Sequence, residues 1–514
     1  MKSILFLSIV SCLSLHAQTV LVKPYVQPGD GATLTGSDVK VITWLTDPTP
    51  GKFTVEFSVK GGPVKSAAVD SVALDFGMPA KKPVTAAPAG KPGDLPKATT
   101  PKPEPALTLE EMKDKAIETF PALKEREQHY LRHRAVLADL PFDSEVHWTV
   151  KNGAAIVRQG SVKTRATAEK PVTFIAMGDM ASNKPEQYGV SYQMGLVKPD
   201  FIIALGDIVY PGGRVLQYMS HFFPCYNDVA TPGPKTGAPL MATIPIYPVV
   251  GNHDADMQRM PDYPDAYSCF YWFSVPKNGP GAGPWNVPLG KNETVAAAFR
   301  AAAGAEYPAM SNYSFDYGPA HFLVLDANSY ARKENDKILP WIEKDLTATK
   351  QKWKFVCFHQ PAFHTSREHY TEQKMRLLQP LFERAGVDIV LAGQVHNYQR
   401  SMPLKFVPGP GGRDKRGRVN GTLTVDHTFD GVKDTTPEGV IHIVSGGGGA
   451  KLYSVDLAKT VEYLEREHPG NYQPLTAKYV AEHGFAVFDL TPSTLVLRQI
   501  NITGKEVDRI KITK

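Results

Sequence analysis

The chain is 514 residues long, 42% apolar and 21% charged, with a formal net charge of +5. This is an ordinary globular composition, with material for two to four domains at roughly 100–200 residues each; it excludes a disordered, collagen-like or disulfide-scaffold chain. A positive balance so small and dispersed makes no case for nucleic acid as a partner, yet would not repel phosphate anions.

The chain opens with MKSILFLSIVSCLSLHAQ. Lys2 supplies a basic start, Ile4 to Leu15 an apolar stretch and Ala17 a small residue for cleavage, so residues 1–17 are expected to be an export signal. The protein is then expected to be secreted or periplasmic, with lipid anchoring through Cys12 as the alternative. No later stretch approaches the ~18 apolar residues of a spanning helix, so no transmembrane segment is expected. Cys225, Cys269 and Cys357 remain, and their spacing fits no zinc knuckle. A Cys225–Cys269 bridge in an oxidising compartment and three unpaired buried thiols both stay open. The sequons at Asn292, Asn312, Asn420 and Asn501 matter only in a host that glycosylates. Nothing in the sequence sets an oligomeric state.

From about residue 19, VKVITWLTD and KFTVEFSVK read as strands between Gly, Pro and Asp turns. Residues 78–105 are rich in Pro, Ala and Lys and read as a linker or loop. A charged helix is expected next, opening at Thr108 with Glu111 at capping-box spacing and running to about Leu131. Strand signals resume in HRAVLADL, SEVHWTVKNG and AAIVRQGSVKT. These predict one β-sandwich over 19–168, carrying an insertion at about 79–131.

Beyond residue 170 strands alternate with helices, which predicts an α/β domain over 170–514. Apolar runs end in short polar clusters: Gly178-Asp179, Gly206-Asp207-Ile208-Val209-Tyr210, Gly251-Asn252-His253-Asp254, Phe358-His359 and Gly393-Gln394-Val395-His396. Singly each is weak, because a Gly-Asp after a strand is usually a turn and a lone histidine is usually structural. As a set they bring two carboxylates, an amide, a phenol and two imidazoles to the carboxyl ends of strands, where such sheets bind ligands. Burying so many polar groups without a cation is costly. Carboxylate, phenolate and imidazole donors suit iron, manganese and zinc.

The ordered series GD, GDxxY, GNH[DE], a strand-end His and a GHxH-like site resembles the purple acid phosphatases, a branch of the calcineurin-like metallophosphoesterases. The resemblance implies an αββα sandwich of two mixed sheets flanked by helices, preceded by a fibronectin-III-like β-sandwich. Tyr313 to Asp326 looks like the family's central strand pair. The implied cofactor is a binuclear metal centre, with Fe(III) at the first site and Fe(II), Zn, Mn or Mg at the second. Asp179, Asp207, Tyr210 and His396 would hold the first metal, Asp207 would bridge, and Asn252 and His359 would hold the second. The sequence departs from the family at Gln394, where the pattern has histidine; a neutral carbonyl oxygen is the poorer donor.

His253 is expected to bind the phosphate or protonate the leaving group, with Asp254 orienting it. His364 is expected to face substrate, with His369 competing for that place. Arg400 is expected to brace its loop, and Gly446 to Gly449 to form a tight strand-end turn near the metals, since the GK[ST] of a P-loop is missing. His483 is expected to be structural. Segments 211–245 and 255–310 are expected to wall the pocket. The implied function is hydrolysis of small phosphate monoesters with an acidic optimum, hydroxide on the metals being the nucleophile. The alternatives are a phosphodiesterase or nucleotide pyrophosphatase on the same site, or a non-catalytic binding protein whose site is degenerate at Gln394.

Overall fold

The computed structural model describes residues 18–76, 128–255, 263–281, 293–331 and 338–514. The export signal with Cys12, the proline-rich segment, most of the helix expected from Thr108 and the sequon at Asn292 lie outside the described residues. The end of that expected helix is strand: Gln128–Leu140 pairs along its length with its neighbours. The β-branched and aromatic content of YLRHRAVLADL prevails there over the charged pattern before it.

Eight strands build the N-terminal part: Val20–Gln27 (β1), Asp38–Thr46 (β2), Phe53–Val59 (β3), Lys65–Ala67 (β4), Val69–Phe76 (β5), Gln128–Leu140 (β6), Glu145–Asn152 (β7) and Ala155–Lys163 (β8). They form two four-stranded antiparallel sheets, β1-β2-β6-β5 and β4-β3-β7-β8. Alternate residues point to one face of a strand. Thus Val146, Trp148 and Val150 of β7 and Val55 and Phe57 of β3 meet Ile42 and Trp44 of β2 in the sandwich core. β2 is buried on both faces, which is why it reads as a nearly unbroken apolar run. Its second face, with β1 and β5, lies on the α/β domain: Phe76 stacks on Tyr271, and Tyr25 donates its hydroxyl to the Trp272 carbonyl at 2.8 Å.

The α/β domain holds two mixed sheets. Val172–Met177 (β9), Phe201–Ala204 (β10) and Ile246–Pro248 (β11) are parallel. Tyr313–Tyr317 (β12), Ala320–Val324 (β13), Trp353–Cys357 (β14), Ile389–Ala392 (β15), Tyr398–Ser401 (β16), Ile441–Ser445 (β19) and Thr476–Val480 (β20) make the second sheet, in the order β12-β13-β14-β15-β19-β16-β20. Leu404–Arg413 (β17) and Val419–Val425 (β18) form a separate hairpin. Gly484–Leu490 (β21), Thr494–Asn501 (β22) and Glu506–Thr513 (β23) close the chain and complete the first sheet, β11-β10-β9-β21-β22-β23. Tyr313 to Asp326 thus begins the edge of its sheet rather than its centre.

The sheets face each other through aromatic rings. Phe174 stacks on Phe488 in one sheet, and its edge meets Phe322 and Phe355 of the other. Leu323 and Val356, one residue along from those two rings, point the opposite way and pack with Ile342 and Leu346 of the helix Ile338–Ala348. This is the expected αββα sandwich, preceded by a β-sandwich. Among the described residues no helix is long and apolar enough to cross a membrane.

The three cysteines are separate buried thiols. Cys225 Sγ lies against the Gln187 carbonyl and Cys269 Sγ against the Asp254 carbonyl, so the Cys225–Cys269 bridge does not form. Asn312 and Asn501 are buried and therefore poor acceptors for a glycan, whereas Asn420 is exposed.

Candidate metal centre

β9, β10 and β11 of the first sheet and β14 and β15 of the second end at the same edge, and their following residues converge. Asp179, Asp207 and Gln394 all have positive φ, 60°, 48° and 66°. Such backbone is uncommon outside glycine and costs about 1–3 kcal/mol per residue; it tends to collect at functional sites. Here it turns each side chain back across the sheet edge. Glycines make room: a Cβ on Gly251 would sit 2.2 Å from the Asp207 amide nitrogen, and one on Gly206 2.5 Å from His359 Nδ1. One on Gly446 would sit 2.7 Å from Asp179 Oδ2, so the four-glycine run is indeed a turn pressed against the site.

Ligand atoms of Asp179, Asp207 and His359, all buried, lie within 4.8 Å of one another. On one side of this group the Tyr210 hydroxyl is 3.0 Å from Asp179 Oδ1 and 3.1 Å from His396 Nε2, and that nitrogen is 3.1 Å from Asp179 Oδ1. On the other side His359 Nε2 is 3.2 Å from Asp207 Oδ1, and the His253 amide donates to the same oxygen at 2.8 Å.

Backbone carbonyls fix the imidazoles. His359 Nδ1 lies 2.7 Å from the Leu205 oxygen, His396 Nδ1 2.6 Å from that of Lys451 and His253 Nδ1 2.7 Å from that of Pro211. A carbonyl can only accept, so each Nδ1 carries a proton and each Nε2 is the atom turned inward; this is how metal-binding histidines are commonly held. Tyr453 adds a face-to-face stack on His396, with ring centroids 3.9 Å apart.

Asp179 Oδ2, Asn252 Oδ1, His359 Nε2 and Gln394 Oε1 are buried and make no directed hydrogen bond. Leaving a buried polar atom unpaired costs about 1–3 kcal/mol. Four together, all electron-pair donors, fit one or two cations and little else. The charges agree. Burial opposes ionisation of the Tyr210 phenol, and Asp179 and Asp207 oppose it further, so its pKa stands well above the usual value. A cation would reverse that balance. Burial also opposes charge on Asp207, but His359 and His253 outweigh it and hold the carboxyl below its usual range.

All seven residues expected to hold metal therefore sit at this edge. Two other expectations change. Asp254 does not orient His253: its carboxylate accepts from the amides of Ile208 and Gly251, both at 2.9 Å, and so ties the loops after β10 and β11 together. His364 does not face the cleft. It is 2% exposed and packs near Tyr370, and burial pushes its pKa down to about 3. The histidine that lines the cleft is His369, also at positive φ (60°). Its Nδ1 lies 2.8 Å from Gln394 Nε2 and 2.9 Å from Glu372 Oε1. The nitrogen either accepts from the amide or donates to the carboxylate, and the first arrangement presents Gln394 Oε1 to the site.

The cleft above Asn252 and Gln394, of about 540 Å³, is walled largely by 369–374 and 413–417, with Ala255 its one described lining residue from the two segments expected to wall it. Sequence reading missed the hairpin wall and Tyr453; neither follows a strand in the pattern that marks the other site residues. Arg400 makes the expected salt bridge, a two-point ion pair with Asp508 at 2.7 and 3.1 Å, but from within strand β16 rather than a loop. His483 is half-buried beside the Gly447 carbonyl.

Residues 172–398 match the family described as calcineurin-like phosphoesterase, and this part of the chain is a calcineurin-like metallophosphoesterase domain. Its relatives include purple acid phosphatase 15 of Arabidopsis thaliana, 25% identical over 317 residues that cover 57% of this chain and 47% of that one. A nucleotide pyrophosphatase/phosphodiesterase of Hordeum vulgare is 27% identical over 293 residues, covering 54% and 65%. The chain thus spans less than two thirds of the length of these curated relatives. Among solved structures, purple acid phosphatase PPD1 from yellow lupin (Lupinus luteus) seeds shares the fold, with a TM-score of 0.59 over 95% of this chain and 74% of that one, at 18% identity.

Proposed function

We propose that this protein is an exported phosphoesterase of the purple acid phosphatase type, hydrolysing small phosphate monoesters at a two-metal centre with an acidic optimum. The observation that carries the reading is the buried Asp179, Asp207 and His359 group, with the unpaired oxygens Asn252 Oδ1 and Gln394 Oε1 at the same sheet edge. Asp179, Tyr210 and His396 would hold one cation, Asn252, His359 and Gln394 the other, and Asp207 would serve both. Fe(III) suits the first set, with its phenol; Fe(II), Zn, Mn or Mg suits the second. Bound cations of this kind neutralise phosphoryl oxygens and lower the pKa of water.

The chain's own groups do the rest. His253 Nδ1 stays on the Pro211 carbonyl, so a protonated ring has Nε2–H to offer a phosphoryl or leaving-group oxygen. His369 lines the cleft above Asn252 and Gln394 and is the second proton carrier. Asp254 holds the loops that place Asn252 and Asp207, and the glycine turns exclude side chains that would displace them. The test is metal content together with turnover of p-nitrophenyl phosphate. Purified enzyme is expected to hold close to two metal ions per chain, and Asp207→Ala to lose both metal and activity. Full activity in that variant would sink the reading.

A phosphodiesterase reading rests on the same ligands and on the barley relative's name. Parallel assay of bis-p-nitrophenyl phosphate separates the two.

A further inference from the structure

The mouth of the cleft carries a feature that the metal centre does not use. The hairpin of β17 and β18 ends in Arg413-Asp414-Lys415-Arg416-Gly417-Arg418, and its residues 413–417 line the same cleft as Asn252, Gln394 and His369. We propose that Arg413 and Lys415 form a second anion subsite, making the preferred substrate a small molecule with a further phosphate beyond the scissile one, a phosphoanhydride such as a nucleoside diphosphate. This deepens the phosphoesterase reading and rests on it.

The tip is held in place. Asp414 accepts from the amides of Arg416 and Arg418 at 2.8 and 2.9 Å, and from Arg418 Nε at 2.8 Å. The tip is also pinned to the segment that carries His369: Gln373 Oε1 accepts from the Val419 amide at 2.9 Å, and a Cβ on Gly417 would sit 2.5 Å from the Thr371 carbonyl oxygen. Wall and hairpin thus form one unit.

The charges at the mouth do not cancel. Asp414 is committed to its own turn through Arg418, and Glu372 is one carboxylate against the cations that remain. Lys374 directs its ammonium to the carbonyl oxygens of Asn328 and Ala331. Arg413 and Lys415 are exposed, and among the described residues no carboxylate is paired with either. Two cationic side chains on a braced loop beside a phosphate-cleaving centre match a second phosphate group, for which arginine's planar fork is well suited.

The experiment compares ADP with AMP, which differ by one phosphate, in wild type and in R413A/K415A. Losing two charge-assisted contacts lowers the ADP:AMP ratio of kcat/KM by roughly 10- to 100-fold, mainly through the KM for ADP, and added salt erodes the wild-type preference. R413K/K415R, which keeps both charges, retains most of it. Calorimetric titration with methylenediphosphonate and with orthophosphate reads the subsite without turnover, and the ratio of the two Kd values is expected to shift in the same direction. If AMP and ADP are cleaved with the same ratio in wild type and R413A/K415A, the subsite is overturned and the phosphoesterase reading stands. If wild type cleaves no ester, that reading fails, and the titration alone decides: an unchanged Kd ratio overturns the subsite too.

Discussion

At the scale of single residues, Gln394 and the two loop histidines separate roles that look alike in the sequence. Gln394 offers a neutral oxygen, so Gln394→His is expected to tighten the second cation and raise turnover. Metal titration followed by initial rates checks this; equal affinity in both proteins would show that the amide serves as well. His369 lines the cleft while His364 is packed inside. Accordingly His369→Ala is expected to lower kcat by about 10²-fold, as loss of a proton carrier does. His364→Ala is expected to lower the urea midpoint while leaving KM unchanged. The reverse pattern would return His364 to the site. The motif pattern could not choose between them, because both follow β14 in a loop with no regular period, and only the path of 360–372 decides which ring is inside.

At the scale of elements, two buried charge networks join parts that are distant in sequence. Asp38 of β2 accepts from Arg165 Nε at 2.8 Å and also pairs with Lys40, at the junction of sandwich and α/β domain. Removing one partner strands the others in a dry setting, so Asp38→Ala is expected to cost about 3–5 kcal/mol, read from denaturant unfolding. His321 of β13 lies between Asp316 of β12 at 2.8 Å and Asp345 of the helix Ile338–Ala348 at 2.9 Å. Burial works against a charged ring here, but the hydrogen bonds to Asp316 and Asp345 outweigh it and push the pKa up to about 9. A folded-state pKa above the unfolded value means the folded protein binds the proton more tightly. The stabilisation is therefore complete below about pH 6.5 and lost as pH rises through about 9, on the order of 3 kcal/mol in all. Unfolding midpoints at pH 6 and pH 9.5 should show the loss in wild type and little of it in His321→Gln. Neither network is visible in the sequence, since each depends on sheet register.

For the whole molecule, a site built from both sheets links metal binding to the stability of the sandwich that carries it. Ligand at a thousand times its Kd stabilises the folded state by about 4 kcal/mol. Stripping metal with a chelator is expected to lower Tm by several degrees in calorimetry, and to change Asp179→Asn much less. Identical melting with and without chelator would speak against a cation pair at this edge.

The sequence by itself determined which strand ends carry polar groups and in what order. Side-chain alternation along a strand is local, and so is the run that ends in Gly-Asp or Gly-Asn-His. That was enough for the class of fold and for placing the seven residues from Asp179 to His396 at one sheet edge. Tertiary structure decided what those residues meet: that Asp254 turns to backbone amides, that Tyr453 covers His396, that the cysteines stand apart, and that a hairpin from 404–425 overlooks the cleft. These are contacts between loops far apart in the chain. Their directions are set by strand pairing and sheet packing across long separations, and no pattern of neighbouring residues encodes them.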